Sequence, residues 1–252
     1  MTTGVEWADE TSNPTVGCEK EKQSEGCDRC YAEAIARRGM CPAHAAATTG
    51  ARWNGDIIWQ PRQVEKYATW GPVVEKSGLK RPRRIFIGSM TDIALAPYEM
   101  FLRIWNACQA SPHHRYMFLT KRPELLLLNV VASMVEHDID VSSPPRWLWV
   151  GVTTENQRRA DERIEVLHEI PAAVRFVSAE PMLEDIEDFG PQRLDWVICG
   201  GETGPGARPM KLSWARRLRD RCRAAGVPFF FKKVGRGIAT PDDLLIREFP
   251  DV

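Results

Sequence analysis

The sequence predicts an α/β fold: a complete or partial TIM-like (β/α) barrel of about six to seven parallel strands. Three observations carry this. Short apolar, β-branched or aromatic runs recur along the chain, helix-like stretches lie between them, and polar residues follow directly on the runs. Near-continuous hydrophobicity over strand length signals burial on both faces, as in a parallel sheet. Strand and helix alternating at about 30-residue spacing signal βαβ units with right-handed crossovers.

The strand-like runs are Arg84–Gly88, Tyr116–Leu119, Trp147–Val152, Val174–Val177, Trp196–Cys199 and Pro228–Phe231, with a possible first strand near Val5–Trp7. Tyr31–Arg38, Pro97–Ala110, Asn156–Glu169 and Ser213–Ala225 read as helices. Thr154 or Asn156 is expected to cap the third of these, and Ser213 to cap the last, which stops at Gly226. Residues 41–82 break the alternation. Frequent Pro, Gly and Trp and poor periodicity mark them as an insertion after the first helix, a candidate lid or substrate loop. A doubly wound open sheet is the alternative arrangement of the same elements. Residues 1–252 fit a single domain of barrel size.

Composition excludes wholesale disorder and names no partner: hydrophobic residues make up 43%, and 34 Lys and Arg balance 34 Asp and Glu. No signal-like leader and no bilayer-length apolar run is seen, so a soluble cytoplasmic protein is expected. Seven cysteines in a reducing compartment point to metal ligation, catalysis or burial rather than disulfides. Cys108, Cys199 and Cys222 stand apart in apolar surroundings and read as core.

In either α/β architecture, functional groups gather at the carboxyl ends of the strands. There the chain places Ser89–Asp92, Thr120–Pro123, Thr153–Asn156, Ser178–Pro181, Gly200–Gly204 and Lys232–Lys233. Any one of these could serve as a helix cap; together they predict a polar site on one rim.

The most specific signal is Gly17-Cys18 followed by Gly26-Cys27-Asp28-Arg29-Cys30-Tyr31, three thiols with gaps of eight and two residues. A loop hinged by glycines can wrap its thiolates around one soft metal centre. Cys30 stands at the start of the predicted Tyr31 helix, where the helix dipole favours an anionic sulfur. Three cysteines without a convincing fourth suit a four-iron cluster with one open iron. A structural zinc site completed by Cys41 or His44 is the alternative, although the usual second close pair is missing.

The cysteine loop, together with Phe118–Pro123, Phe176–Pro181, Gly200–Met210 and Pro228–Lys233, resembles an uncharacterised phage and bacterial domain family of the type labelled phage protein Gp. The similarity spans nearly the whole chain. That family looks like a divergent branch of the radical S-adenosylmethionine superfamily, close in pattern to spore photoproduct lyase relatives. The superfamily motif spaces its first two cysteines by three residues, whereas here the gap is eight; the second gap and the following aromatic, Tyr31, are kept. The resemblance implies a [4Fe–4S] cluster on Cys18, Cys27 and Cys30, and S-adenosylmethionine on its open iron. One-electron cleavage would then give methionine and a 5′-deoxyadenosyl radical that abstracts a substrate hydrogen. It further implies a cofactor shell: Ser89 and Asp92 toward the methionine amino group, Thr153 and Thr154 toward carboxylate or ribose, and Lys121 as a cation for the carboxylate. Glu180 is implied for the ribose hydroxyls, Gly200 and Gly201 for close approach to the adenine, and Tyr31 for packing nearby. An electron donor of the flavodoxin or ferredoxin type is the implied partner.

The substrate is less legible. Arg and Lys mix with aromatics at Arg52–Trp53, Trp59–Arg62, Lys80–Arg84 and Arg208–Arg219, which can serve phosphate contacts and base stacking, although such runs are more often solvated helix faces. Three functions stay open. They are a radical enzyme modifying a nucleobase, nucleoside or phage DNA, a radical enzyme on a peptide or small metabolite, and a zinc-bearing nucleic-acid-binding module without catalysis.

Overall fold

The computed structural model describes residues 4–50 and 52–251. Its centre is a seven-stranded parallel sheet made of β1 (Glu10–Ser12), β2 (Arg84–Ile87), β3 (Arg115–Thr120), β4 (Leu148–Thr153), β5 (Val174–Ala179), β6 (Trp196–Cys199) and β7 (Phe229–Phe231). Spatial order equals chain order, with no reversal. A doubly wound sheet needs such a reversal, so that alternative is set aside. The sheet curls into a half-barrel whose edges, β1 and β7, do not pair with each other.

Period-two alternation divides the side chains between the two faces of the sheet. Ile85, Ile87, Tyr116, Phe118, Leu148, Val150, Val197, Phe229 and Phe231 face one way, into a core they share with the helices. Those helices are α2 (Tyr98–Ala110), α3 (Pro123–Glu136), α4 (Gln157–Glu169) and α5 (Leu212–Ala225); α1 (Tyr31–Ala36) lies in the first crossover. Phe86, Met117, Trp149, Phe176, Trp196, Ile198 and Phe230 point the other way and pack on one another and on Trp7. Trp7 lies 4.8 Å from Phe86, and Trp149 lies 6.3 Å from Trp196, ring centre to ring centre. The concave face is therefore a filled aromatic interior, as in a barrel, and not a second helix-covered face.

The chain termini bridge the open seam. Glu6 pairs with Lys233 and Arg247 beside β7, while Asp9 binds Arg81 and Arg84 beside β2. Phe249 sits under the Arg84 guanidinium at 3.5 Å.

Three expectations need correction. The first strand is Glu10–Ser12 and not Val5–Trp7: Trp7 contributes its ring to the interior instead of its backbone to the ladder. The cap of α5 is Lys211, which leaves Ser213 inside the helix. Helix α3 was not expected from the run Glu124–Val131, because four successive leucines hide its 3.6-residue period. Asn156 does cap α4, accepting from the Arg159 amide at 2.9 Å, and Cys108, Cys199 and Cys222 are buried.

The insertion backs the cysteine loop. Ile58–Trp59 forms an antiparallel ladder with Thr15–Val16, and buried Tyr67 donates to Ser12 Oγ at 3.0 Å. Among the described residues no helix is long and apolar enough to cross a membrane.

Candidate functional site

A cavity of about 720 Å³ opens at the carboxyl ends of the strands. All seven strand ends reach it: Asn13 after β1, Ser89 to Asp92 after β2, Thr120 to Arg122 after β3, Thr153 at the end of β4, Ser178 and Glu180 from β5, Gly201 to Thr203 after β6, and Lys232 and Lys233 after β7. Cys18, Cys27, Cys30 and Tyr31 form part of its wall, and the insertion adds His44 and Trp53.

Local sequence places the first thiol. The Gly17 amide donates to the Met90 carbonyl at 3.1 Å, extending the line of β1 beside the loop after β2. Gly17 has φ +124°, and a Cβ there would stand 2.0 Å from the Asp56 carbonyl oxygen, so only glycine fits directly before Cys18. Burial pushes the Cys18 thiol up, Arg122 opposes this, and Asp92, Cys30 and Cys27 add to it; the result is about 11.

The second and third thiols sit on a turn. Cys27 ends a 3₁₀ turn, Glu25–Cys27, with its amide on the Ser24 carbonyl at 2.9 Å, and the Cys30 amide reaches the Cys27 carbonyl at 3.3 Å. Cys30 is then the N-cap of α1. Ties from the barrel hold this turn. Ser24 Oγ donates to Glu155, Arg159 binds the Glu25 carboxylate at 3.1 Å, and Arg208 donates to the Glu25 carbonyl at 2.9 Å. Glu202 links Arg208 to Arg29.

The predicted cofactor shell divides. Tyr31, Ser89, Asp92, Lys121, Thr153, Glu180 and Gly201 line the cavity with the three cysteines; Thr154 and Gly200 stand behind the wall. Thr154 is buried with its hydroxyl unpartnered. Asp92 is saturated within the chain, accepting from Thr120 Oγ1 at 2.6 Å, the Lys121 amide at 2.9 Å, Arg122 Nη1 at 2.9 Å and the Ala94 amide at 3.2 Å. It locks the loop after β2 to the loop after β3. Ser89 donates to Asn13 Oδ1 at 3.0 Å, and its carbonyl accepts from Tyr31 Oη at 2.6 Å. Glu180 takes Trp7 Nε1 at 3.0 Å and Lys232 at 2.9 Å. At Gly201 a Cβ would fall 1.9 Å from the Val234 carbonyl oxygen, so packing within the chain already requires that glycine; at Gly200 its closest contact would be only the end of the Glu180 side chain, at 2.8 Å. Lys121 approaches Glu155 at 3.9 Å, the longest ion pair to either lysine or arginine of that loop.

Sequence reasoning passed over Asn13, Arg122, Glu155, Glu202, Arg208 and Lys232. All but Asn13 and Arg208 stood in the polar strand-end segments, which was the available signal. Asn13 was missed because the first strand was misplaced.

A family comparison bears on this set of residues. One family model matches residues 2–242, a span that contains every residue of the cavity wall. The chain belongs to that family. Its description reads "Protein of unknown function (DUF5131)". The description states no activity, substrate or cofactor. No curated protein matches the chain. No solved structure matches it either.

Among the described residues, no three His, Cys, Asp or Glu side chains converge in the geometry of a bound metal ion. Three thiols share one wall, and the volume falls in the range of small-molecule sites.

Proposed function

We propose that this protein is a radical S-adenosylmethionine enzyme on a partial TIM-like barrel. Cys18, Cys27 and Cys30 would hold a [4Fe–4S] cluster, and S-adenosylmethionine would lie in the cavity beside it. The observation that carries this reading is the gathering of three loop thiols with polar groups from all seven strand ends around one cavity. When bound, these groups supply one-electron cleavage of a sulfonium and hydrogen abstraction by the 5′-deoxyadenosyl radical.

The chain's own residues bind, orient and exclude water. Lys121 offers a cation from the loop after β3 that a cofactor carboxylate can take, since its present partner is 3.9 Å away. Asp92 keeps that loop in place through Thr120, Lys121 and Arg122. Thr153 offers its hydroxyl along the wall for ribose or carboxylate, and Glu180 offers its carboxylate for ribose hydroxyls. Trp53, Met90, Phe86 and Leu119 give it apolar surface that keeps water from the reacting centre. An electron donor of the flavodoxin or ferredoxin type completes the scheme.

For the substrate, a nucleobase or nucleoside fits the resemblance, and one feature favours a small molecule over a polymer. Two of the basic runs, Lys80–Arg84 and Arg208–Arg219, are largely ion-paired within the chain: Arg81 and Arg84 to Asp9, Arg83 to Glu10, Arg208 to Glu202, Arg216 and Arg219 to Asp243, and Arg217 to Asp185. The run Lys80–Arg84 also lies at the amino end of β2, away from the cavity. A peptide or small-metabolite substrate is therefore the second reading. A whole duplex would have to deliver an extruded base.

The test is iron, sulfide and zinc content with a visible spectrum on protein purified without oxygen. Near four irons per chain, absorbance near about 400 nm bleached by dithionite, and loss of both in Cys27→Ala are expected. Added S-adenosylmethionine should then yield 5′-deoxyadenosine. Stoichiometric zinc in a colourless protein, after iron and sulfide have been supplied, refutes the reading and leaves a zinc-bearing binding module.

A further inference from the structure

We infer that Glu155 is the positioning residue of the cysteine loop: a buried carboxylate that sets where Cys27 and Cys30 present their thiols. What those thiols bind rests on the cluster reading; how they are placed does not.

Glu155 stands two residues beyond the end of β4, and its side chain is fully buried. A carboxylate in such a place is costly unless its oxygens are matched. One oxygen accepts from Arg163 Nη1 at 2.8 Å, a residue of α4 that is itself buried. That pair alone would neutralise the charge. The other oxygen reaches out of the barrel to Ser24 Oγ, 131 residues away in sequence, with Lys121 Nζ at 3.9 Å.

The loop is shaped to receive it. A Cβ at Gly26 would stand 2.4 Å from Glu155 Oε1, so the glycine is what lets the turn close on the carboxylate. Ser24 begins the turn whose hydrogen bonds lead to Cys27 and then Cys30, and Ser24 Oγ lies 3.8 Å from Cys27 Sγ. Losing the Ser24 tie loosens the turn that carries both thiols, which Arg159 and Arg208 still hold through Glu25, while Cys18, anchored through Gly17 to Met90, keeps its place. Cys41 lies outside the turn, on the small apolar cluster that Cys18 and Cys30 also border, and gives an internal control for opening of that cluster.

The experiment follows alkylation of each cysteine by mass spectrometry in metal-free protein under anaerobic conditions, beside iron retention against a chelator. Ser24→Ala leaves the Glu155–Arg163 pair intact and is the deciding variant. Glu155→Gln and Gly26→Ala accompany it without deciding it, because loss of the carboxylate leaves Arg163 buried without its counter-charge and destabilises the whole fold. Loss of a hydrogen bond to a charged group should raise local opening, and with it alkylation of Cys27 and Cys30, by about tenfold or more, with Cys41 unchanged and far-ultraviolet dichroism native. Unchanged rates at Cys27 and Cys30 in Ser24→Ala overturn the inference, as does an equal rise at Cys41. Should wild-type protein take up no iron while the selective rise occurs, the cluster reading falls and the positioning role stands. Should all variants hold iron as wild type does, with unchanged alkylation, the positioning role falls and the cluster reading stands.

Discussion

Gly17 offers the sharpest test of how the cysteine loop is anchored. Alanine there must adopt φ +124° and place a methyl 2.0 Å from the Asp56 carbonyl oxygen. A backbone conformation reserved for glycine costs about 1–3 kcal/mol. Forcing a methyl against main chain adds about 1–3 kcal/mol, and reduced freedom of the unfolded chain returns about 0.5 kcal/mol. The net expectation for Gly17→Ala is a loss of about 2–5 kcal/mol, a large share of the total for a single domain. Gly39 is the matched control. Its φ of +59° is also left-handed, but nothing lies within 4 Å of its would-be Cβ, so alanine there should cost about 1 kcal/mol or less. With a urea slope of about 3 kcal/mol per molar, the two variants should separate by roughly 1 M in midpoint. Equal midpoints, or a more stable Gly17→Ala, would refute the idea that the Asp56 carbonyl closes the space behind Cys18. In the same variant iron uptake should weaken, because the methyl pushes the first thiol off its line.

Two further outcomes follow from local chemistry. Burial would raise the Asp9 carboxyl, but its hydrogen bonds from Arg81 and the Arg84 amide, with both guanidinium charges, outweigh burial and hold it at about 2. Because the folded value lies below the unfolded one, this stabilisation is present above about pH 4 and is lost as pH falls through about 2. Asp9→Asn should therefore lose about 2 kcal/mol at pH 7 and flatten the acid limb of the stability profile, and urea titrations from pH 7 to pH 2 will show it. Asn156→Ala removes the side-chain cap of α4 and should cost about 1 kcal/mol by thermal melting; no change would mean the Arg159 amide finds another acceptor.

Much of the architecture was legible in the chain. Parallel strands buried on both faces are near-continuously apolar, with polar residues such as Arg84, Arg115 and Arg175 near their starts, so β2 to β7 announced themselves. The polar residues after them were legible as well, because a soluble rim has to be built from what the loops carry. The misses share a cause. Glu10–Ser12 is too short and too polar to read as a strand, and it is a strand only because β2 offers it an edge. Ser213 has the chemistry of a cap, yet the helix begins one residue earlier, at Leu212, which packs against the core.

By itself, then, the sequence determined a parallel α/β sheet, a three-thiol loop hinged by glycine and a rim of polar strand ends, since each is encoded in residue types a few positions apart. Only the tertiary structure decided which of these groups meet. It brought the cysteine loop onto the carboxyl ends of seven strands, sent Thr154 and Gly200 behind the wall, and spent Asp92 on its neighbours. It also joined Ser24 to Glu155 across the fold. Such contacts depend on how the sheet curls and where the insertion packs, and no local pattern carries a distance between residues more than a hundred positions apart.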